Sequence, residues 1–528
     1  MKPMLHQEID FRTIQKKADC RLNSFLAVLT PIMQIIIYKM VDFATLEGIM
    51  HELYTGRYVP TEYDASWRDP YFERIFEEAG GDEQARRIVD AFKVFYRMFT
   101  DDLVKWYANL YDPYIGGYYC TTSGKELEGH LPDIESSKMA MNFIDGSGLS
   151  AHAGGDWRNI IPEEMKEKFV RFAKRMQEPN GYFYNIMKKQ EEIDAFVPKR
   201  GRDLSWCTWF LEELGAKPTY DSPMGMKGDG IDWQGNPVSD YKLSVSDSGE
   251  EVNAAAVHYA DYLENKETFL AYLNEKIDIK GRSYPAGNEL NATFQQIKKR
   301  DIALKEQGAD FSLCDTLIEW LNERIDPFTG YWAPTQNFAG TNGFFKVITI
   351  YNAWGYPYPE IEKAVDSVIA GILGDEESLS NSCTVYNLWI ALIECKRHVK
   401  MCQPEEIRNK VLESIDKKLK AHAPEAILNT FKKQSGYQKP DGAFAHFVNC
   451  DEDINKIKTH QGNIPTGRYI HEGDVDAISR GSYGTLNAMF DAFGFTRVPI
   501  YHEREWNIYL EILKNAKPVI KKETPTYR

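Results

Sequence analysis

Apolar residues recur along most of the chain at the spacing of an amphipathic helix. Within 473–493 the apolar positions that fall close to a 3.6-residue period are Val475, Ile478, Leu486, Met489, Phe490 and Phe493. Similar patterns occupy 82–108, 163–176, 251–277, 309–324, 359–373, 380–397 and 404–421. Strand-like alternation is rare and short. The pattern predicts an all-α protein of about sixteen helical segments, which need a layered or closed arrangement to bury every apolar face.

Four connections between predicted helices share an acidic or amide residue, a proline, a glycine and then, in most copies, aromatic residues. They are 112–119 (DPYIGGYY), 177–183 (QEPNGYF), 326–332 (DPFTGYW) and 438–444 (QKPDGAF). Proline does not continue a helix, and glycine adopts a backbone conformation that other residues resist. The repetition predicts stacked helical hairpins, about six or seven in all.

These turns resemble those of the (α/α) toroid proteins, in which helical hairpins close into a ring. The superfamily includes six-hairpin glycosidases, toroidal polysaccharide lyases, and the prenyltransferase and terpenoid-cyclase group. The resemblance implies a toroid catalytic domain at 81–510, with a helical segment at 1–80 packed on the ring and a C-terminal tail at 511–528. The stretch at about 217–250 is rich in Gly, Pro, Ser and Asp, and it is interpreted as a long loop over one face of the ring.

Charge and composition limit the classes of partner that the protein is expected to bind. The chain of 528 residues has 63 Lys and Arg against 78 Asp and Glu, a formal net charge of −15. Such an acidic chain argues against a nucleic-acid partner. The apolar run 25–41 is interrupted by Pro31, Gln34 and Lys39, so we interpret it as a buried helix rather than a membrane span.

Cysteine usage and missing motifs bear on compartment and cofactor. The eight cysteines form no CxxC pair, which predicts reduced thiols and a cytoplasmic location. Nucleotide-binding loops, a dinucleotide fingerprint and the HExxH motif are absent from the sequence, so no cofactor and no metal ion are expected. The expected partner is a small molecule or oligosaccharide, and the oligomeric state is left open.

Two acidic clusters at the starts of predicted helices are the candidates for catalysis. One, at 471–476, contains His471, Glu472, Asp474 and Asp476, and the other contains Asp133 and Glu135. Carboxylates in different surroundings supply the acid and the base of general acid–base catalysis. If both clusters lie on one rim of a ring, they face each other across a central cleft.

The alternative for these acids is structural. Asp474 and Asp133 stand where a helix N-cap is expected, and Asp476 complements the positive end of its helix. Capping alone accounts for each of these residues taken singly.

Further residues are candidates for substrate binding: Asn342, Lys346, Arg468, Tyr119, Tyr331, Trp332, Tyr351 and His446. Aromatic rings after the turn glycines are suited to stacking on sugar rings, or alternatively pack between hairpins. The preferred interpretation of Asn342 is a turn residue. His446 and His460 are possible metal ligands together with His471, although loop histidines are more often solvated or hydrogen-bonded.

The sequence therefore favours an enzyme that cleaves a glycosidic bond by paired-carboxylate hydrolysis. The alternatives are a uronate-directed lyase that uses Asn342, His446 or His471, and Tyr351, a terpenoid-cyclase or prenyltransferase-like enzyme, and a non-catalytic helical scaffold. The acidic motif of the cyclases lacks its final Asp here, and no zinc trio in the prenyltransferase pattern is evident.

Overall fold

The structure is a computed structural model, and it describes most of the chain from residue 60 onwards. The described ranges are 60–126, 130–186, 197–222, 225–238, 261–374, 382–402, 404–439, 441–446 and 473–519. They belong to one compact unit. The predicted helix at 25–41, the last part of the predicted loop at 217–250 and much of the predicted tail lie outside these ranges. In the described ranges, none of the helices combines the length and the apolar character that crossing a membrane requires.

The prediction of an all-α protein is confirmed for these residues. Their eighteen helices are α1 (Asp69–Ala79), α2 (Glu83–Tyr96), α3 (Asp101–Ala108), α4 (Thr122–Glu126), α5 (Ile134–Gly146), α6 (Glu163–Arg175), α7 (Val197–Glu213), α8 (Lys266–Lys276), α9 (Ser283–Glu306), α10 (Leu313–Asn322), α11 (Phe338–Trp354), α12 (Ile361–Leu373), α13 (Ser382–Cys402), α14 (Glu405–Ala421), α15 (Ala423–Ser435), α16 (Val475–Ser479), α17 (Thr485–Phe493) and α18 (Glu503–Asn515). Two strands of two residues each, β1 (Tyr111–Asp112) and β2 (Gly117–Tyr118), form one antiparallel pair.

The four repeated turns share a glycine at positive φ and fall into two hydrogen-bonding patterns. Asp112 and Asp326 each accept hydrogen bonds from the amides two and three residues later, at 2.8–3.1 Å. Gln177 and Gln438 instead donate to the carbonyl four residues later, at 3.1 and 3.2 Å. The turn glycines all have positive φ: Gly116 (86°), Gly181 (82°), Gly330 (74°) and Gly442 (84°). The predicted helix stop is therefore a real, repeated structural unit.

The helices that these turns connect belong to two layers. They lie on the connections from α3 to α5, from α6 to α7, from α10 to α11 and from α15 to α16. The second helices of these pairs, together with α9, α13 and α17, contact one another in the order α7, α5, α16/α17, α13, α11, α9. The flank of this row is covered by α6, α10, α12, α14 and α15.

Within the row, α9, α11, α13 and α17 run parallel, with their N-termini at one end. Asn387, in the second turn of α13, donates to Asn342 in the second turn of α11 at 2.7 Å. Gly343 of α11 lies against Ser283 at the start of α9, where an added Cβ would meet the Ser283 hydroxyl at 2.0 Å. At the far ends, Lys396 of α13 donates to the carbonyl of Ala492 in α17 at 2.9 Å. Parallel packing therefore brings several helix N-termini together.

The predicted helix at 473–493 is interrupted. A π-helical turn at 480–484 separates α16 from α17, and Ser482 within it has the non-helical angles φ −119° and ψ −111°. Gly481 and Gly484 leave room for close contacts, since a Cβ on Gly481 would lie 2.3 Å from the Phe444 ring. The apolar periodicity did not reveal this break, because both flanking segments keep their apolar face on the core.

Candidate functional site

The N-termini of α5 and α16 meet beside Cys120. The Val475 amide donates to the Cys120 carbonyl at 3.0 Å, and the Asp133 amide donates to the Tyr118 carbonyl at 3.1 Å. Burial raises the pKa of the Cys120 thiol, and the charges of Asp474 and Asp133 raise it further. Asp133 and Asp474, one from each acidic cluster that the sequence singled out, are therefore neighbours, although more than three hundred residues separate them along the chain.

Asp133 and Asp474 occupy equivalent positions at these two helix ends. Asp133 is the N-cap of α5 and accepts from the Ser136 amide at 2.8 Å and the Ser136 hydroxyl at 2.7 Å. Asp474 is the N-cap of α16 and accepts from the amides of Ala477 at 2.8 Å and His446 at 3.0 Å. The capping role predicted for each residue is thus present.

Asp474 also has an altered acidity. Burial raises its pKa, the nearby Asp476 carboxylate raises it further, and the two backbone amides lower it, which leaves the pKa at about 7. Asp474 is 3% exposed. Its carboxyl group is thus both a helix cap and a buried acid.

Glu135 and Asp476 lie in the first turns of α5 and α16 and are buried as well. One carboxylate oxygen of Asp476, Oδ1, pairs with the Arg480 guanidinium at 2.6 Å. Asp476 Oδ2 has no hydrogen-bond partner among the described residues. Four buried carboxylates are thereby gathered at two adjacent helix ends, and one of them is only half satisfied.

A thiol and an imidazole adjoin this group. Cys383, the second residue of α13, lies with its Sγ 4.0 Å from His446 Nδ1. The backbone of His446 is held on both sides, because its amide donates to Asp474 and its carbonyl accepts from the Ser382 amide at 2.9 Å. Burial raises the pKa of the Cys383 thiol to about 11, although the Arg480 charge lowers it.

Other residues proposed for substrate binding lie in the helix row. Asn342 donates to the Phe338 carbonyl and accepts from Asn387, both at 2.7 Å, so its amide links α11 to α13. It lies within a helix rather than in a turn. Lys346 is half-buried one turn later, with its ammonium 4.6 Å from the centre of the Phe345 ring.

The aromatic candidates are packed in the core. Tyr119, Tyr331, Trp332 and Tyr351 are each at most 1% exposed. The polar groups of all four have protein partners. Tyr119 donates to Asp112 and Tyr331 to the Thr335 carbonyl, while Trp332 donates to the Leu321 carbonyl and Tyr351 to Asn322. These contacts favour the packing alternative for the rings, and their role as a sugar platform stays a prediction.

The residues of the lyase alternative are spread along the fold. Asn342 and Tyr351 both lie on α11, where nine residues correspond to about 13 Å along the helix axis. Because His446 adjoins Cys383 near the N-termini, the described contacts do not bring these three residues into one group.

Three of the candidates, Arg468, His471 and Glu472, lie outside the described residues, as does His460. Sequence reasoning included Asp476 in the acidic stretch 471–476, with a helix-dipole role as the alternative, and did not single out Cys383 or Arg480. The one available signal for Arg480 was its i,i+4 spacing from Asp476. Cys383 carried no signal, because its partners lie in other segments of the chain.

Comparisons with known proteins found nothing similar to this chain. No family model, no curated protein and no solved structure matched this chain. Arguments about function therefore rest on the site itself.

Proposed function

We propose that the protein hydrolyses a glycosidic bond in an oligo- or polysaccharide. The observation that carries this proposal is the meeting of Asp133 and Glu135 with Asp474 at two adjacent helix ends beside Cys120. Glycoside hydrolysis needs two carboxyl groups on opposite sides of the scissile bond. The chain supplies them from two segments that meet only in the folded state.

We further propose that the helix row closes into an (α/α) toroid. The support is the regular alternation of a flanking helix, a glycine turn and a helix of the row, together with the parallel direction of successive helices in the row. In such a ring the N-termini of the row helices surround one cleft. Ligand sites built from facing helices of a bundle follow the same geometry.

In the proposed reaction, Asp474 and Glu135 are the reacting pair. One protonates the leaving-group oxygen, and the other activates a water molecule or attacks the anomeric carbon. Asp133 is assigned a positioning role, because both of its oxygens accept from Ser136 at the start of α5. Both oxygens of Asp474 accept as well, from the Ala477 and His446 amides, but burial raises the pKa of Asp474 to about 7, so it can hold the proton that the reaction needs. Burial of the pair excludes bulk water, which strengthens electrostatic interactions with a developing charge.

The test uses the full-length protein on a panel of neutral and uronate-containing oligosaccharides. Release of reducing ends without ultraviolet absorbance of an unsaturated product is expected of a hydrolase. We expect Asp474→Asn and Glu135→Gln each to slow the reaction by about 10²- to 10⁴-fold. The matched control is Asp82→Asn, since Asp82 caps α2 by accepting from the Ala85 amide just as Asp474 caps α16.

Asparagine caps a helix about as well as aspartate, so these variants separate chemistry from capping. If Asp474→Asn and Glu135→Gln keep the wild-type rate, the acid pair is wrongly assigned. If the product absorbs in the ultraviolet, the lyase alternative replaces hydrolysis. Turnover of a prenyl substrate, with all sugars ignored, would favour the cyclase group.

A further inference from the structure

Three different metal-binding side chains converge beside the proposed acid pair. They are Cys383 from the first turn of α13, His446 from the segment after the fourth glycine turn, and Asp476 from the first turn of α16. One donor atom from each, the Cys383 Sγ, an imidazole nitrogen of His446 and a carboxylate oxygen of Asp476, lies within 4.8 Å of the other two. All three residues are buried. Thiolate, imidazole and carboxylate together form a donor set typical of zinc.

An independent observation points to a ligand at this place. Asp476 is 1% exposed, and its Oδ2 has no hydrogen-bond partner among the described residues. Leaving a buried carboxylate oxygen without a partner is costly, so such an atom calls for an explanation. The hydroxyl groups of Ser382 and Tyr437 are likewise buried without a partner within the described part of the chain. Ser382 adjoins Cys383 in sequence, and the Cys383 charge acts on Tyr437.

The surroundings hold the three donors in place. Arg480 binds Asp476 through Oδ1, which leaves Oδ2 for another partner. Asp474 and Ser382 fix the backbone of His446 from its two sides. Cys383 is the second residue of a helix of 21 residues, so the helix fixes the position of its thiol. Such supporting contacts are what orients ligands in known metal sites.

We propose that Cys383, His446 and Asp476 bind a divalent cation of the zinc type. Bond lengths of 2.0–2.3 Å in a tetrahedral site place donors about 3.5 Å apart, so the side chains need to close by about 1 Å. Among the described residues, no fourth His, Cys or acidic side chain joins the group. Within the described part of the chain, the fourth position is left to water or to a substrate oxygen, which is the arrangement of catalytic zinc sites. This proposal does not depend on the substrate being a sugar.

The test measures metal without substrate. Full-length protein is exposed to Zn²⁺, desalted, and analysed for metal by mass spectrometry; the same protein is loaded with Co²⁺ for absorption spectroscopy. We expect about one equivalent of zinc, and a tetrahedral Co²⁺ spectrum with a thiolate-to-metal charge-transfer band. Cys383→Ala should lose at least ten-fold in bound metal. Cys395→Ala is the matched control, because Cys395 is a fully buried cysteine of the same helix.

Several outcomes overturn the proposal. One is wild-type protein that retains no metal after desalting. Another is a Co²⁺ spectrum without the thiolate band, and a third is Cys383→Ala that still holds a full equivalent. If circular dichroism shows that Cys383→Ala does not fold, the near-isosteric Asp476→Asn decides instead, and unchanged metal content there counts against the site. If Glu135→Gln loses hydrolysis but binds as much metal as wild type, the metal site stands independently of the proposed acid pair.

Discussion

The buried imidazole of His398 gives a sharp prediction about stability and pH. His398 is fully buried on α13, and burial lowers its pKa from 6.5 to about 4. Its Nε2 accepts a hydrogen bond from the Tyr358 amide at 3.0 Å, and its Nδ1 lies 2.8 Å from Asn352 Oδ1. Asn352 in turn donates to Glu394 at 2.7 Å, which keeps its oxygen facing the ring. The neutral imidazole fits this arrangement, and a proton on Nε2 would oppose the Tyr358 amide.

The magnitude follows from proton linkage. The folded state holds the neutral form, so the unfolded state binds the proton first as the pH falls through 6.5. The contribution of the neutral imidazole is therefore complete above pH 6.5 and is lost progressively down to pH 4. A difference of about 2.5 units corresponds to about 3 kcal/mol of unfolding free energy, of which about 2 kcal/mol is lost by pH 5.

The assay compares wild type with His398→Gln by urea unfolding, followed by tryptophan fluorescence, at pH 7.5 and pH 5. Glutamine does not titrate, so the variant removes only this contribution to the pH dependence. We expect wild type to lose about 2 kcal/mol more than His398→Gln over this interval. His152→Gln, which removes an exposed histidine, should follow wild type. Parallel loss of stability in wild type and His398→Gln would refute the reasoning.

Two further predictions concern the connections between helices. Gly330→Ala should lower the unfolding free energy, measured by thermal unfolding, by about 2–4 kcal/mol, because φ is +74° and the new Cβ would lie 2.6 Å from the Ala364 amide nitrogen. The control is Gly154→Ala, which is also at positive φ but has open space around it. It should lower the unfolding free energy by only about 1–2 kcal/mol in the same assay. Asp229→Asn should cost about 1–3 kcal/mol and speed proteolysis at 217–238, because Lys174 is buried and pairs with Asp229 at 2.7 Å. Lys174→Met in the Asp229→Asn background should recover much of that stability, and failure to do so would argue against a desolvated charge as the cause.

The repeated turns show what local sequence determines. In each turn the acidic or amide side chain bonds to the backbone within four residues, and the glycine takes a positive φ. Both features depend on residues that are close together in sequence, so the sequence alone predicts them. The amphipathic helices and the N-caps of Asp133 and Asp474 belong to the same class of local information.

The break at 480–484 and the buried aromatic rings lie beyond that information. The π turn depends on contacts such as that of Gly481 with Phe444, which belongs to another segment. Tyr331 and Tyr351 have the composition expected of a sugar platform, but their exposure is decided by the helices packed over them. Sequence composition does not distinguish a ring in a cleft from a ring in the core.

By itself, the sequence determined that this protein is built of helices joined by glycine turns, with acids at the starts of two of them. Only the tertiary structure decided that α5, α13 and α16 bring their N-termini together, and that Cys383, His446 and Asp476 become neighbours. The physical reason is the distance along the chain over which each kind of interaction acts. Helix periodicity, caps and turns arise from interactions within a few residues, whereas burial, altered acidity and a shared donor set arise from packing between distant segments.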